Sequence, residues 1–286
     1  FAEDPTLVQL GRNGGFQQRK TIQKIQDIEY NGRINNELVI KNTDHTSFKV
    51  DFGGTYRNKE RNFDSQFFGI QETALNAINP TSIDALSEIF TQQNIANGLL
   101  KINTLPADRY RGNLESLGTY IEATGVIGRF TLQGGLRYQN DQINVKFDVG
   151  NIPGRLGKVI KNYEKLYPSL NLKYAATEKI NLRFANSYST TLPEFKEIAP
   201  FEYVSAVGQV TRGNKDIEAS LNTNYDLKFE YFPSKGQLIS FTSFYKKIKD
   251  PINKVQDRGA SGAFSYFNTS EKATVYGIEI EGRLVL

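Results

Sequence analysis

The chain has 286 residues, no Cys, no Met, no Trp and one His, with 38% hydrophobic residues and a formal net charge of +4. Lacking Cys and with a single His, it excludes a disulfide framework and a nitrogen- or sulfur-rich metal site, and its mild, mixed charge gives no nucleic-acid footprint. No apolar run approaches the roughly 20 residues of a spanning helix, and without Met, Phe1 is expected to begin a processed chain or a stretch of a longer one.

From about residue 27 the sequence predicts nine β-strands. The first sets Ile28, Tyr30, Gly32, Ile34, Asn36, Leu38 and Ile40 against Asp27, Glu29, Asn31, Arg33, Asn35 and Glu37, with Val39 the exception. Alternation with a period of two puts one face in an apolar medium and the other in water. The second sets Phe48, Val50, Phe52, Gly54 and Tyr56 against Lys49, Asp51, Gly53, Thr55 and Arg57. The third, 117–127, is weaker, with Leu117, Ile121, Ala123 and Ile127 sharing a face with Thr119 and Gly125. In the fourth, Phe130, Leu132, Gly134, Leu136 and Tyr138 oppose Thr131, Gln133, Gly135, Arg137 and Gln139. Its length suits a tilted membrane crossing of about 9–11 residues.

Beyond that strand the parity flips to Ile143, Val145 and Phe147, which marks 140–142 either as a bulge or as the exit from the membrane. Leu166, Leu170, Leu172 and Tyr174 lead through a short turn to Ile180, Leu182, Phe184 and Tyr188, with Asn186 a polar exception. Leu221, Thr223, Tyr225, Leu227, Phe229 and Tyr231 oppose Asn222, Asn224, Asp226, Lys228 and Glu230. The eighth strand, 238–247, is mixed: Ile239, Phe241 and Tyr245 face away from Leu238 and Phe244. The last sets Tyr276, Ile278, Ile280 and Leu284 against Gly277, Glu279, Glu281 and Arg283.

The joins alternate in length. Those after odd-numbered strands are 41–46, 128–129, 176–179 and 233–237; those after even-numbered strands are about 60–115, 140–164, 191–220 and 251–272. Short turns at one end and long loops at the other are the pattern of an antiparallel outer-membrane β-barrel, with short turns periplasmic and long loops extracellular. Charged inner faces make the interior wet or packed with polar material, because a small dry barrel fills that face with apolar side chains. An odd number of strands predicts that this sheet does not close by itself. The competing reading is a large soluble β-protein, such as a jelly roll or a propeller fragment, with one polar face. The absence of Trp favours it, since interface belts use Trp as well as Tyr. Tyr56, Tyr138, Tyr188, Tyr245 and Tyr276 nevertheless stand near the predicted outer ends and Tyr231 at the inner end.

Residues 192–201 read Leu-Pro-Glu-Phe-Lys-Glu-Ile-Ala-Pro-Phe. This run resembles the Arg-Pro-Glu-Phe-Arg-Glu-Leu-Ala-Pro-Phe segment of TonB-dependent outer-membrane receptors of the Bacteroidetes type. The likeness extends to 47–61, 167–174, 177–184, 213–216, 224–234, 239–252 and 274–281, and covers about residues 25–60 and 117–286. Leu192 stands where that family usually has Arg. The resemblance implies a large barrel, of 22 strands with a plugged lumen, of which this chain is a middle-to-late stretch. The domain expected is therefore one partial β-barrel over 1–286, with the plug, the coupling segment and the closing strands outside it.

The long connection 60–115 predicts a helix: Thr81 and Asp84 have capping-box spacing after Pro80, Ile83, Leu86, Ile89 and Phe90 share a face, and Gly98 stops it. It reads either as a lid touching ligand or as a cover for the barrel rim. His45 falls in a periplasmic turn with no nucleophile or orienting partner beside it, so a solvated turn residue is expected rather than a catalytic base. Glu194, Glu197, Glu202 and Asp216 offer oxygen ligands for Ca²⁺ without the spacing of a binding loop. The glycine pairs Gly53-Gly54 and Gly134-Gly135 suit bends and close backbone approach, and no helix follows them to make a phosphate cradle.

Arg57, Lys59, Arg61 and Arg137 form a basic inward set near the outer mouth. The set either steers an anionic ligand, such as an iron chelate or acidic glycan, or balances carboxylates of the plug. No resident cofactor or metal is expected. Three functions compete. The resemblance implies energy-coupled import of a scarce nutrient (siderophore, haem, glycan or similar) across the bacterial outer membrane. Its partners are outer-membrane lipid, the inner-membrane coupling protein TonB, the nutrient itself and, in some such barrels, a surface lipoprotein lid. The alternatives are a passive porin-like or adhesin-like barrel without a plug, and a barrel-embedded hydrolase. For the last, no nucleophile–base pair is recognisable, and an enzyme is not expected.

Overall fold

Period-two alternation carried over nine long segments can be buried in one way only, as a sheet with a dry face and a wet face. The computed structural model, which describes residues 19–43, 46–74, 78, 85–104, 106–205, 208–258 and 262–285, has that form. In chain order its elements are β1 (Arg19–Thr43), β2 (Thr46–Glu72), α1 (Leu86–Ile89), α2 (Gln92–Ala96), β3 (Leu100–Thr104), β4 (Asp108–Ile127), β5 (Phe130–Asp148) and β6 (Leu156–Ala175). There follow β7 (Ile180–Thr191), α3 (Phe195–Ile198), β8 (Glu202–Val204), β9 (Val210–Arg212), β10 (Ser220–Tyr231), β11 (Leu238–Lys249), β12 (Ile252–Gln256), β13 (Phe264–Asn268) and β14 (Lys272–Arg283).

The main sheet runs β1-β2-β4-β5-β6-β7-β10-β11-β14, every neighbour antiparallel and each long strand beside its predecessor. β1 and β14 are its two edges, so the sheet is an incomplete barrel wall. One face carries a belt of exposed large apolar side chains, including Ile34, Leu38, Phe52, Ile121, Leu132, Leu136, Leu170, Leu227, Phe241 and Ile280. Leaving each in water instead of an apolar medium costs about 1.5–3 kcal/mol, and a belt this continuous marks a surface covered by hydrocarbon. The belt bounds the crossing segments as roughly 32–40, 48–56, 117–127, 130–138, 166–174, 180–188, 223–231, 239–245 and 276–282. No helix among the described residues is long and apolar enough to cross a membrane; here strands cross.

Several strands run far past the belt at the long-loop end, and this corrects the sequence expectations there. β1 begins at Arg19 rather than 27 and stays in register with β2 as far as Gly69. β2 continues to Glu72 and β4 starts at Asp108, so the connection expected over 60–115 spans 73–107. Within it β3 turns back to pair with β2, from Phe68↔Thr104 to Glu72↔Leu100. The single helix expected there is instead two short ones, because the Thr91 hydroxyl caps α2 by accepting from Asn94 N at 3.0 Å. Ile89 is buried with Ile78 and Leu100, whereas Phe90 is exposed and off that face. The expected start at Thr81 and Asp84 lies outside the described residues, as does His45. Gly98 does end the helical stretch, at φ +70.

The loop expected over 140–164 is mostly strand as well: β5 and β6 meet in a turn over 149–155. Arg155 fixes that turn, donating to Asp148 at 2.7 Å and to the Ala107 carbonyl at 2.8 Å. No bulge interrupts 140–142, for the β4–β5 register is unbroken from Ile127↔Phe130 to Arg109↔Asp148. The parity flip therefore records a change of surroundings along one continuous strand. Below 140 the even residues meet lipid and the odd ones a polar lumen. Above it the odd residues Ile143, Val145 and Phe147 still point inward, into a dry core.

That core is supplied by the connection 192–219. Phe195, Ile198, Ala199 and Phe201 turn onto the inner faces of β2, β4, β5 and β6, joining Phe63, Tyr110, Leu114, Val145 and Val159 in one cluster. Phe63 stacks on Tyr110 with centroids 4.9 Å apart, and Phe201 meets Phe63 edge-on at 4.8 Å. Two glycines allow this approach. A Cβ at Gly112 would lie 2.5 Å from the Phe195 ring, and one at Gly213 would overlap the Ala199 carbonyl. Above this cap the connections 192–219 and 250–271 form a small mixed sheet, ordered β12-β13-β9-β8 with β9 and β13 parallel.

Candidate functional site

Beneath the cap, on the inner wall, lies a cavity of about 750 Å³. Its wall is set by strand parity. Thr55, Arg57, Lys59 and Arg61 are successive inward residues of β2, Leu114 and Ser116 come from β4, and Arg137, Gln139, Asp141 and Ile143 from β5. Tyr167 adds β6, Tyr188, Ser189 and Thr190 add β7, and Leu192, Pro193, Glu194 and Phe195 close it along the cap. All four basic residues expected at the mouth thus line one cavity.

Their electrostatics differ. Arg57 forks onto Glu29 (2.9 and 3.1 Å), and Arg61 onto Asp27 (2.6 and 2.5 Å). Lys59 lies 3.9 Å from the same Asp27. These carboxylates belong to β1, so the wall neutralises its own cations. Hydrogen bonds from Arg61, with its charge, hold the Asp27 carboxyl below its usual value. Arg137 has no carboxylate within 4.0 Å among the described residues. It lies flat over Gly118, where a Cβ would collide with its guanidinium, and donates to Thr55 Oγ1 at 2.6 Å and Gln139 Oε1 at 2.9 Å.

The side chains beside Arg137 were not singled out from the sequence. Gln139 Nε2 donates to Asp141 at 2.8 Å, and Ser116 Oγ donates to the same carboxylate in a short bond. Tyr167, opposite Arg137 on β6, donates to Thr190 Oγ1 at 2.6 Å. The signal for Asp141 was present as the inward stripe 137-139-141, but reading 140–142 as a break hid it.

In the cap the Tyr110 and Tyr203 hydroxyls lie 3.0 Å apart; burial raises the Tyr110 phenol and pushes that of Tyr203 well above the usual range. The four acidic residues considered for Ca²⁺ are engaged separately. Glu194 pairs with Lys196 (3.2 Å), Glu197 accepts the Glu194 N–H at the start of α3 (2.9 Å), Glu202 pairs with Arg212 (2.5 Å), and Asp216 with Lys215 (2.8 Å). Among the described residues no three His, Cys, Asp or Glu group to hold a metal ion.

A family model described as TonB dependent receptor-like, beta-barrel, matches residues 3–285. Among solved structures the chain is similar to the ferric citrate transporter FecA in its unliganded form: 15% identity, TM-score 0.62, covering 95% of this chain and 33% of that one. It is also similar to the ferric yersiniabactin uptake receptor FyuA from Yersinia pestis: 15% identity, TM-score 0.55, covering 92% and 33%. A third is a double mutant of the Serratia marcescens hemophore receptor HasR in complex with its hemophore HasA and heme: 14% identity, TM-score 0.51, covering 91% and 46%. At such identity the likeness is one of fold, and the chain spans a third of the first two structures. No curated protein sequence matches it.

Proposed function

Because the chain belongs to the TonB-dependent receptor-like β-barrel family, we propose that it is part of the wall of a bacterial outer-membrane receptor that imports a scarce nutrient. The nutrient is captured on the inner wall near the outer mouth, and inward transfer draws on inner-membrane energy through TonB, which engages a segment outside this chain. The observation that carries this reading is the pairing of a lipid-facing belt with a polar inner wall that holds a 750 Å³ cavity at its outer end. A cavity of that size suits a small molecule rather than a protein.

Neutralisation of Arg57 and Arg61 by Glu29 and Asp27 argues against a strongly cationic funnel, so the basic set serves to position more than to steer. The reading is tested in cells whose only high-affinity uptake route is the full-length receptor. Accumulation of the nutrient that supports their growth is expected to stop when the proton-motive force is collapsed, while binding to the cell surface persists. Accumulation that survives the collapse would instead identify a passive pore.

A further inference from the structure

The outward face of the wall changes character at its long-loop end, and it does so unevenly around the sheet. On β10, β11 and β14 the strand register sets Tyr225, Tyr245 and Tyr276 side by side in one exposed row at the end of the lipid-facing belt. Tyrosine gathers where hydrocarbon gives way to headgroups, with its ring in the apolar layer and its hydroxyl in the wet one. One outward position further on stands Lys247, between Thr223 and Thr274; the next row sets Lys249 directly opposite Lys272. Each such step is about 6.8 Å along a strand. The three lysines, all exposed, therefore stand at the headgroup level of the outer leaflet, with stems that lie along the apolar wall. On the other side of the sheet the outward residues just beyond the belt are acidic: Glu60 on β2, Glu115 on β4 and Glu164 on β6.

Like charges directly opposite each other on paired strands repel, and little offsets them here. Lys249 lies 4.0 Å from Asp250, while Lys247 and Lys272 have no carboxylate within 4.0 Å among the described residues. We propose that Lys247, Lys249 and Lys272 bind the phosphate-bearing headgroup of an outer-leaflet lipid, whose acyl chains run down the belt below the tyrosine row. Two features select this occupant. The ammonium groups call for an anion with several acceptor oxygens, and phosphate is the anion that a lipid carries at this level. The patch is also continuous with the apolar surface of Leu227, Phe241, Ile278 and Ile280, so its ligand must join an anionic head to hydrocarbon. The proposal rests on the outer-membrane placement of this wall and not on nutrient import, which uses the opposite face.

The test is native mass spectrometry of the purified full-length receptor, with monophosphoryl lipid A as probe and the same lipid stripped of its phosphate for comparison. A basic residue at an anionic lipid surface contributes roughly fivefold in affinity. Loss of the phosphate is therefore expected to weaken binding about tenfold or more, and so is the combined variant Lys247→Gln, Lys249→Gln and Lys272→Gln. Lys246, on the same strand but turned to the lumen, is the control, and Lys246→Gln is expected to bind the lipid as the unmutated receptor does. Equal binding of the two lipids overturns the proposal on the unmutated receptor alone. So does a dependence on phosphate that persists unchanged in the combined variant, or one that Lys246→Gln removes as well. Energised nutrient uptake without phosphate-dependent lipid binding would remove this inference and leave the importer standing; such binding with uptake indifferent to the proton-motive force would do the opposite.

Discussion

Gly118 shows how a single missing side chain positions a charge. With no Cβ at 118 the Arg137 guanidinium lies against the wall within reach of Thr55 and Gln139. Gly118→Ala would lift that head without changing any charge. Ligand affinity is expected to fall about tenfold with the melting temperature nearly unchanged; an unaltered affinity would show that the pose of Arg137 does not matter. The Asp27–Arg61 pair supports a prediction about acid. Its carboxyl is held below the usual value, so its contribution is complete above the pKa of an unfolded Asp and is lost as pH falls through the folded value. For so exposed a pair the contribution is about 0.2–1 kcal/mol. The melting-temperature gap between wild type and Asp27→Asn is therefore expected to be full at neutral pH and to narrow only as pH falls below the range of an unfolded Asp, and a gap that is the same in strong acid as at neutral pH would contradict the pairing. From the sequence, parity alone was enough to put Arg57, Lys59, Arg61 and Arg137 on one inner surface. Their partners Asp27 and Glu29 were legible as inward residues but not as partners, because pairing depends on β1–β2 register, which no local pattern encodes.

At the scale of elements, the cap formed by 192–204 joins the barrel end to the cavity beneath it. Ile198 and Phe201 are fully buried, and Phe195 is seated over Gly112. Truncating a core side chain of this kind costs about 2–5 kcal/mol, here against the cap rather than the hydrogen-bonded wall below. Ile198→Ala is thus expected to speed tryptic cleavage after Lys196 severalfold while β-sheet content and heat stability of the barrel hold. Equal cleavage rates would mean that the segment is anchored elsewhere. Gly112→Ala, which forces the Phe195 ring outward, is expected to act in the same direction by about 1–3 kcal/mol. The lipid-crossing parts of the strands were readable because one face meets hydrocarbon throughout. Their extensions were not, because beyond Asp141 the inward residues become apolar while the outward ones become polar. That inversion looks like a bulge or a loop to any reading that equates apolar with outward. The apolar content of the 192–201 run was visible, but its destination, the inner faces of β2, β4, β5 and β6, follows only from the three-dimensional contacts.

At the scale of the whole molecule, one strand passes through two opposite environments without a break in its hydrogen bonding. Along β5 the membrane part is dry outside and wet inside; beyond Asp141 the same strand is wet outside and dry inside, where the cap fills the mouth. This inversion joins the membrane assignment, the cap and the cavity into one account, and β5 carries it in a single stretch. This stretch contains no Cys, so a single cysteine placed in it is its only thiol. The most direct test is a cysteine scan of residues 130–147 in the full-length receptor in outer membranes, read by a water-soluble maleimide. Below 140, labelling is expected at Gln133→Cys and Arg137→Cys and not at Leu132→Cys or Leu136→Cys. Above it the parity should reverse, with Gln142→Cys and Lys146→Cys labelled and Ile143→Cys and Val145→Cys protected. The same parity throughout, or uniform labelling, would contradict the account.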